Sequence, residues 1–379
     1  MSIFSTMIAT ATAVATFLLL LTLTSANRPN RHFNKIYAFG ASYVDTGNTN
    51  ATTAPSIFRY ASNLPYGRTF FHRPTNRYSD GRLVIDFVAE SLSLPYLPPY
   101  LNPEADTCSG INYAVAGSTA IEHEFFVENN LPLAITPQSL QTQLSWFNKT
   151  LEGLNCKSAI STSRECRAVF RDSLVWLGQM GSNDYTYTLR SNVSAETIQR
   201  LANDRVTRFL EAVLNKGAKY IVVEGLPASG CLAISLFLSP ASDRDDLGCA
   251  ASVNNQRFIH NTILQANIQN LRRRYPKAVI VYVDYWNAYS SIIMNGPRLG
   301  FQELYKVCCG AGGGLYNFNL AAICGSQSAS SCQDPSQYVN WDGLHLTEAM
   351  HKVLSDMFLE GPFTYPPLKY LLSRKNDSN

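Results

Sequence analysis

Lys35-Ile36-Tyr37-Ala38-Phe39 runs without a break into Gly40-Ala41-Ser42. The first five residues are short, β-branched or aromatic, and lack a strict polar–apolar alternation. A strand covered by helices on both faces reads this way, because neither face meets water. Three later runs share the character: 174–177 (Leu-Val-Trp-Leu), 220–224 (Tyr-Ile-Val-Val-Glu) and 278–283 (Ala-Val-Ile-Val-Tyr-Val). Helical patterns lie between and after them. Residues 82–91 have Asp80 as a candidate cap. Residues 194–216 open at Ser194 and stop before Gly217, a good C-terminal stop. Residues 250–274 end before Pro276, and 347–359 follow the last strand. The alternation predicts an α/β fold, a three-layer α/β/α sandwich with a central mainly parallel sheet. The Pro- and Tyr-rich 94–103 and the Gly-rich 310–314 are expected as loops.

The chain has 379 residues, 46% hydrophobic and 16% charged, enough apolar content to build a large core and too much for a disordered chain. A net charge of +3, evenly spread, argues against nucleic acid as a partner. The run Arg272-Arg273-Arg274 ends a helical segment, where cations suit the helix dipole. Residues 1–26 carry no charged side chain. An apolar stretch from Ala13 to Leu23 precedes the small residues Thr24-Ser25-Ala26, so a secretory signal peptide cleaved near Ala26 is expected. The stretch is short for a membrane span, although the missing basic n-region leaves an uncleaved anchor as the alternative. No repeat or composition break follows, so 27–379 reads as one domain, exported to the cell exterior or the vacuole.

Nine cysteines suit an oxidising compartment. Cys308, Cys309, Cys324 and Cys332 cluster; Cys156 lies close to Cys166, and Cys231 close to Cys249. None has zinc-site spacing, so disulfides of undetermined connectivity are expected, with an odd thiol left over. Glycosylation sequons stand at Asn50, Asn148, Asn192 and Asn376, of which about half are expected to be used.

Four segments place a small or polar residue at the end of a candidate strand, the edge where open parallel sheets bind ligands. Ser42 is the first. The second is Gly110-Ile-Asn112-Tyr-Ala-Val-Ala-Gly117, in which Gly117 can bring a backbone N–H close to a substrate. The third, Gly181-Ser182-Asn183-Asp184, presents an amide able to donate to an oxyanion. The fourth is Trp341-Asp342-Gly343-Leu344-His345, where a carboxylate three residues before an imidazole can hold one tautomer. Taken alone, the Gly117 segment reads equally as a tight turn, and the other three read more readily as an ordinary turn or cap than as a site. Together they compose a serine hydrolase: nucleophile, base, orienting acid and oxyanion donors. His123 sits between Glu122 and Glu124 in what reads as a solvated charge cluster. His32, His72, His260 and His351 are expected as surface or satisfied core residues. The Gly-x-Ser-x-Gly elbow, the P-loop and the dinucleotide fingerprint are absent, so neither an α/β-hydrolase nor a nucleotide cofactor is indicated.

The blocks around Ser42, Gly117, Asn183 and His345, with Arg77-Tyr-Ser-Asp-Gly81-Arg82, Gly225-Leu-Pro227 and Cys308-Cys309-Gly310, resemble those of plant GDSL-type lipases and esterases of the SGNH hydrolase superfamily. The resemblance runs from Ile36 to about Pro362. It implies an SGNH, flavodoxin-like sheet and hydrolysis of small-molecule carboxylic esters. It implies Ser42 as nucleophile, His345 as base and Asp342 as its partner. The N–H groups of Ser42 and Gly117 and the Asn183 amide would form the oxyanion hole, with no metal or cofactor. One departure from the family matters: Ala41 stands where Asp precedes the serine. The missing carboxylate is expected to leave the Ser42 turn less tightly held. Two rival readings keep the same fold: an acyltransferase, in which an alcohol intercepts the acyl-enzyme, and a non-catalytic binding protein derived from an esterase.

Overall fold

The structure, a computed structural model, describes residues 33–49, 56–131, 136–156 and 164–371. The expected leader and the sequons at Asn50 and Asn376 lie outside these residues. Five strands run parallel: β1 (Lys35–Phe39), β2 (Gly110–Asn112), β3 (Ser173–Leu177), β4 (Tyr220–Glu224) and β5 (Val279–Val283). Their order is β2-β1-β3-β4-β5, and β6 (Thr364–Tyr365) adds an antiparallel edge beside β5. The four strands legible in the sequence match to within one residue. Strands β2 and β6 are three and two residues long, too short to show a pattern of their own.

Alternate side chains of each strand enter opposite layers. Ile36, Ala38, Trp176, Val222 and Val281 join one apolar cluster, and Tyr37, Phe39, Val175, Val223 and Ile280 join the other. The helices that flank the sheet or position the site are α1 (Val84–Ser91), α2 (Leu140–Gly153), α3 (Ser182–Tyr187), α4 (Ala195–Asn215), α5 (Ala251–Arg274), α6 (Tyr285–Asn295) and α7 (Glu348–Leu359). Helices α1, α6 and α7 supply the first cluster through Ile85, Ile292 and Leu354. Helices α2, α4 and α5 supply the second through Phe147, Phe209 and Ile268. Both sheet faces are therefore dry, which is why the strands carry no polar alternation.

Ser194 caps α4 by accepting from the Thr197 N–H, and Thr347 caps α7 by accepting from Met350. Asp80 does not cap the helix that follows it. Helix α1 begins only at Val84, and its own Asp86 accepts from the Leu83 N–H at 2.9 Å. Asp80 instead accepts from Glu348 N at 2.8 Å, at the positive end of α7, where a carboxylate is favoured. Gly310, expected in a loop, pairs in the short strand Cys309–Gly310.

The disulfides are Cys156–Cys166, Cys231–Cys249, Cys308–Cys332 and Cys309–Cys324, and Cys108 is exposed and unpaired. The sequon Asn148 lies half-buried within α2, whereas Asn192 is exposed in a loop. Among the described residues no helix is long and apolar enough to cross a membrane.

Candidate active site

In a sheet of this order the winding reverses between β1 and β3, opening a crevice at their carboxyl ends. Ser42 lies three residues past β1, and Asn183 lies in the first turn of α3, just after β3. Asp342 and His345 reach the same crevice from the loop before α7. That loop is closed by Trp341 N donating to His345 O at 2.8 Å, and is braced by Cys309 N donating to Trp341 O at 2.7 Å. The paired disulfides at Cys308 and Cys309 thus anchor the backbone beside the acid.

The Ser42 hydroxyl lies 2.8 Å from His345 Nε2, and Nδ1 of the same ring lies 2.8 Å from Asp342 Oδ2. Ser42 and His345 are separated by 303 positions in sequence. Each is only 7% exposed, so the pair is largely withdrawn from water. Asp342 Oδ1 accepts from the N–H groups of Leu344 and His345, both at 2.7 Å, and Oδ2 accepts from the Tyr66 hydroxyl at 2.7 Å. Burial alone pushes this carboxyl up. The adjacent imidazole and the donors outweigh it and hold Asp342 below its ordinary value. Tyr78 packs its ring 4.8 Å from the imidazole, and Tyr43 packs at 5.8 Å while donating to Leu344 O.

The Ser42 turn is firmly held, contrary to the expectation from Ala41. Asp45 accepts from the N–H groups of Gly47, Asn48, Thr49 and Ala116 and from the Thr49 hydroxyl. The Gln143 amide both accepts from Gly40 N at 3.0 Å and donates to Gly40 O at 2.8 Å. Ala41 itself is 2% exposed and packs in the apolar cluster of Phe39 and Tyr113. The hydrogen-bonding work expected of a carboxylate at this position is done by groups on either side of it.

Gly117 has φ of +79°, and a Cβ there would come within 2.2 Å of Thr136 Oγ1 and 2.5 Å of the Phe58 ring, so only glycine fits. Its carbonyl accepts from the Tyr187 hydroxyl at 3.0 Å. Asn183 Nδ2 donates to Ser118 O at 2.8 Å, which uses one of its two amide hydrogens and ties it to the Gly117 loop. Asp184 completes the tie by accepting from Ala120 and Ile121 N–H groups at 3.0 and 2.9 Å. Burial pushes the Asp184 carboxyl up to about 7, against the lowering effect of those donors. The two segments proposed to carry oxyanion donors are therefore joined into one unit.

The sequence profile of the GDSL-like lipase/acylhydrolase family matches residues 36–358. The chain belongs to the GDSL-like lipase/acylhydrolase family. It is a carboxylic-ester hydrolase of that family. A "GDSL esterase/lipase" of Arabidopsis thaliana is 52% identical over 98% of both chains. "Acetylajmalan esterase 1" of Rauvolfia serpentina is 36% identical, covering 89% of this chain and 90% of its own. "Sinapine esterase" of Brassica napus is 37% identical, covering 90% of this chain and 88% of its own. Among solved structures, a variant acetyl xylan esterase from Geobacillus stearothermophilus covers 87% of this chain at 12% identity, with a TM-score of 0.36.

Several residues of this GDSL esterase's candidate site carry no sequence signal of their own. Tyr66 and Gln143 reach it from segments with no pattern pointing there, and Tyr78 comes from the 77–82 block, which resembles the family without marking a role for the ring. His351, expected on the surface or satisfied in the core, is fully buried with neither ring nitrogen hydrogen-bonded among the described residues. It packs against Tyr43, which also packs against His345. Burial, then the neighbouring His345, hold His351 down to about 3, so it is neutral. His260 is equally buried. Its Nδ1 faces the Tyr185 hydroxyl at 3.1 Å, and its Nε2 has no partner among the described residues.

Proposed function

We propose that the protein is a secreted GDSL esterase that works through an acyl-enzyme on Ser42. Its leader would be removed near Ala26, leaving one hydrolase domain over 27–379, glycosylated at Asn192. The observation that carries the catalytic reading is the unbroken chain from Ser42 Oγ to His345 Nε2 and from Nδ1 to Asp342, each link 2.8 Å. In this reading His345 takes the serine proton as Ser42 attacks the ester carbonyl, then gives it to the leaving alcohol. Asp342 holds Nδ1–H and balances the imidazolium. The N–H groups of Ser42 and Gly117 and the second Asn183 amide hydrogen stabilise the oxyanion. Water, activated by the same His345, then releases the acid.

The substrate is a small-molecule ester. Relatives carry the names of acetylajmalan and sinapine esterases, so an acetylated alcohol and sinapine belong in the first activity panel. Purified protein should turn over at least one ester of that panel. Ser42→Ala should lose at least ~10³-fold of kcat and all labelling by a fluorophosphonate. Undiminished turnover in that variant would refute the nucleophile. A wild-type protein that neither turns over esters nor takes the label would instead favour the binding-protein reading. Adding an alcohol acceptor to the assay separates hydrolysis from acyl transfer by product analysis.

A further inference from the structure

We infer that the Tyr66 hydroxyl is a positioning group for the reaction, a fourth member of the Ser42–His345–Asp342 relay that acts through the carboxylate. The inference rests on that catalytic reading. Tyr66 donates to Asp342 Oδ2 at 2.7 Å, the same oxygen that faces His345 Nδ1 at 2.8 Å. The other carboxylate oxygen is held by two backbone N–H groups. Oδ2 therefore depends on a side chain 276 positions away for its second donor. That side chain is rigidly seated. Tyr66 is 4% exposed, with its ring edge-on to Trp341 at 5.9 Å and to Tyr78 at 6.2 Å, in the cluster that includes the Cys308 and Cys309 disulfides.

The chemistry follows from charge. A carboxylate satisfied by three external donors is a moderate base. It orients the imidazolium without taking its proton. Removing the phenol donor concentrates charge on Oδ2. The protonated, inactive form of the His345–Asp342 pair then persists to higher pH. Burial and the Asp342 charge push the Tyr66 phenol well above its ordinary value, so it remains a donor throughout the working range. Other groups facing the pair are Ser42, the rings of Tyr43 and Tyr78, and, behind Tyr43, neutral His351; Asp45 lies within electrostatic reach of Tyr78. All of these remain when only the Tyr66 hydroxyl is deleted.

Tyr66→Phe keeps the ring and its packing, so it isolates the hydroxyl. With p-nitrophenyl acetate as probe, the variant should lose ~10-fold in kcat with KM within ~2-fold. The acid limb of its kcat/KM profile should move up by about half to one pH unit. Fluorophosphonate labelling of Ser42 should slow in parallel, which reads nucleophile activation without any substrate. An unchanged rate and profile would overturn the proposal. So would a fall in Tm or a change in KM with the acid limb unmoved, since that outcome assigns Tyr66 to packing alone. Ser42→Ala is assayed alongside: if it retains turnover, the catalytic reading has failed first and the Tyr66 proposal falls with it.

Discussion

Gln143 and Gly40, 103 residues apart, are joined by two hydrogen bonds that satisfy both sides of one residue's backbone, Gly40 N to Oε1 at 3.0 Å and Nε2 to Gly40 O at 2.8 Å. Gly40 lies two residues before Ser42, so helix α2 fixes the position of the proposed nucleophile at the end of β1. Gln143→Leu keeps the bulk and leaves the Gly40 polar groups without this partner. The variant should lose about 1–3 kcal/mol of stability, as a buried unsatisfied amide costs. Its kcat should fall ~10-fold through misplacement of Ser42, with a smaller change in KM. Denaturant unfolding and steady-state kinetics check both; a wild-type kcat in the folded variant would show the clamp to be dispensable.

Asn183 has two tasks, donation to Ser118 O and the proposed donation to the oxyanion. Asn183→Ala should lower kcat ~10²-fold, from a loss of ~3 kcal/mol in the transition state, with little change in KM. Asn183→Asp retains the size without the amide hydrogens and should be no better. A defect confined to KM would remove Asn183 from the oxyanion hole.

Ala41→Asp tests the one departure from the family's serine block. From the sequence alone, restoring the carboxylate is expected to raise hydrolysis ~3- to 30-fold. The packing of Ala41 beside Phe39, and the grip of Asp45 and Gln143 on the turn, reverse that expectation. A carboxylate placed there is desolvated, at a cost of about 2 kcal/mol or more. The Tm should fall by roughly 4 °C or more, and kcat/KM should not rise. Higher kcat/KM at unchanged Tm would show that the turn is under-supported after all.

Stability should be nearly level across mildly acid pH and collapse below it. Burial holds His260 and His351 down to about 3 and pushes Asp184 and Glu224 up to about 7. The two histidines contribute stability that is full above their unfolded value of 6.5 and lost as pH falls toward 3. The two carboxyls contribute stability that is full below their unfolded values of 3.8 and 4.5 and lost as pH rises toward 7. Between pH 4.5 and 6.5 the pairs oppose each other; below about 4 the histidines' loss continues, and Asp342, held below its ordinary value, adds to it as it protonates. Unfolding free energies measured in urea at a series of pH values check this. Burial also pushes Asp45 and Asp80 up, so Glu224→Gln removes one of several opposing carboxyls, and its stability should rise with pH over the same window relative to the wild type. A dependence identical to the wild type's would refute the balance.

The features legible along the chain are local. Strands β1, β3, β4 and β5 and helices α4, α5 and α7 were legible because burial on two faces, 3.6-residue periodicity and end signals such as Ser194 and Gly217 are written within a few consecutive residues. Ser42, Gly117, Asn183 and the Asp342/His345 pair were legible for the same reason, each being a short turn at a strand or helix end. The folded arrangement alone reveals which of the cysteines pair, that Asp80 serves α7 and not α1, and that Gln143 and Tyr66 reach Gly40 and Asp342. Those last two contacts join positions 103 and 276 residues apart. Nothing in either partner's neighbourhood marks them. They arise because the β2-β1-β3-β4-β5 winding brings the ends of β1 and β3, helix α2 and the disulfide-braced loop to one crevice, and such partners are set by the spatial order of elements, not by the pattern within any of them.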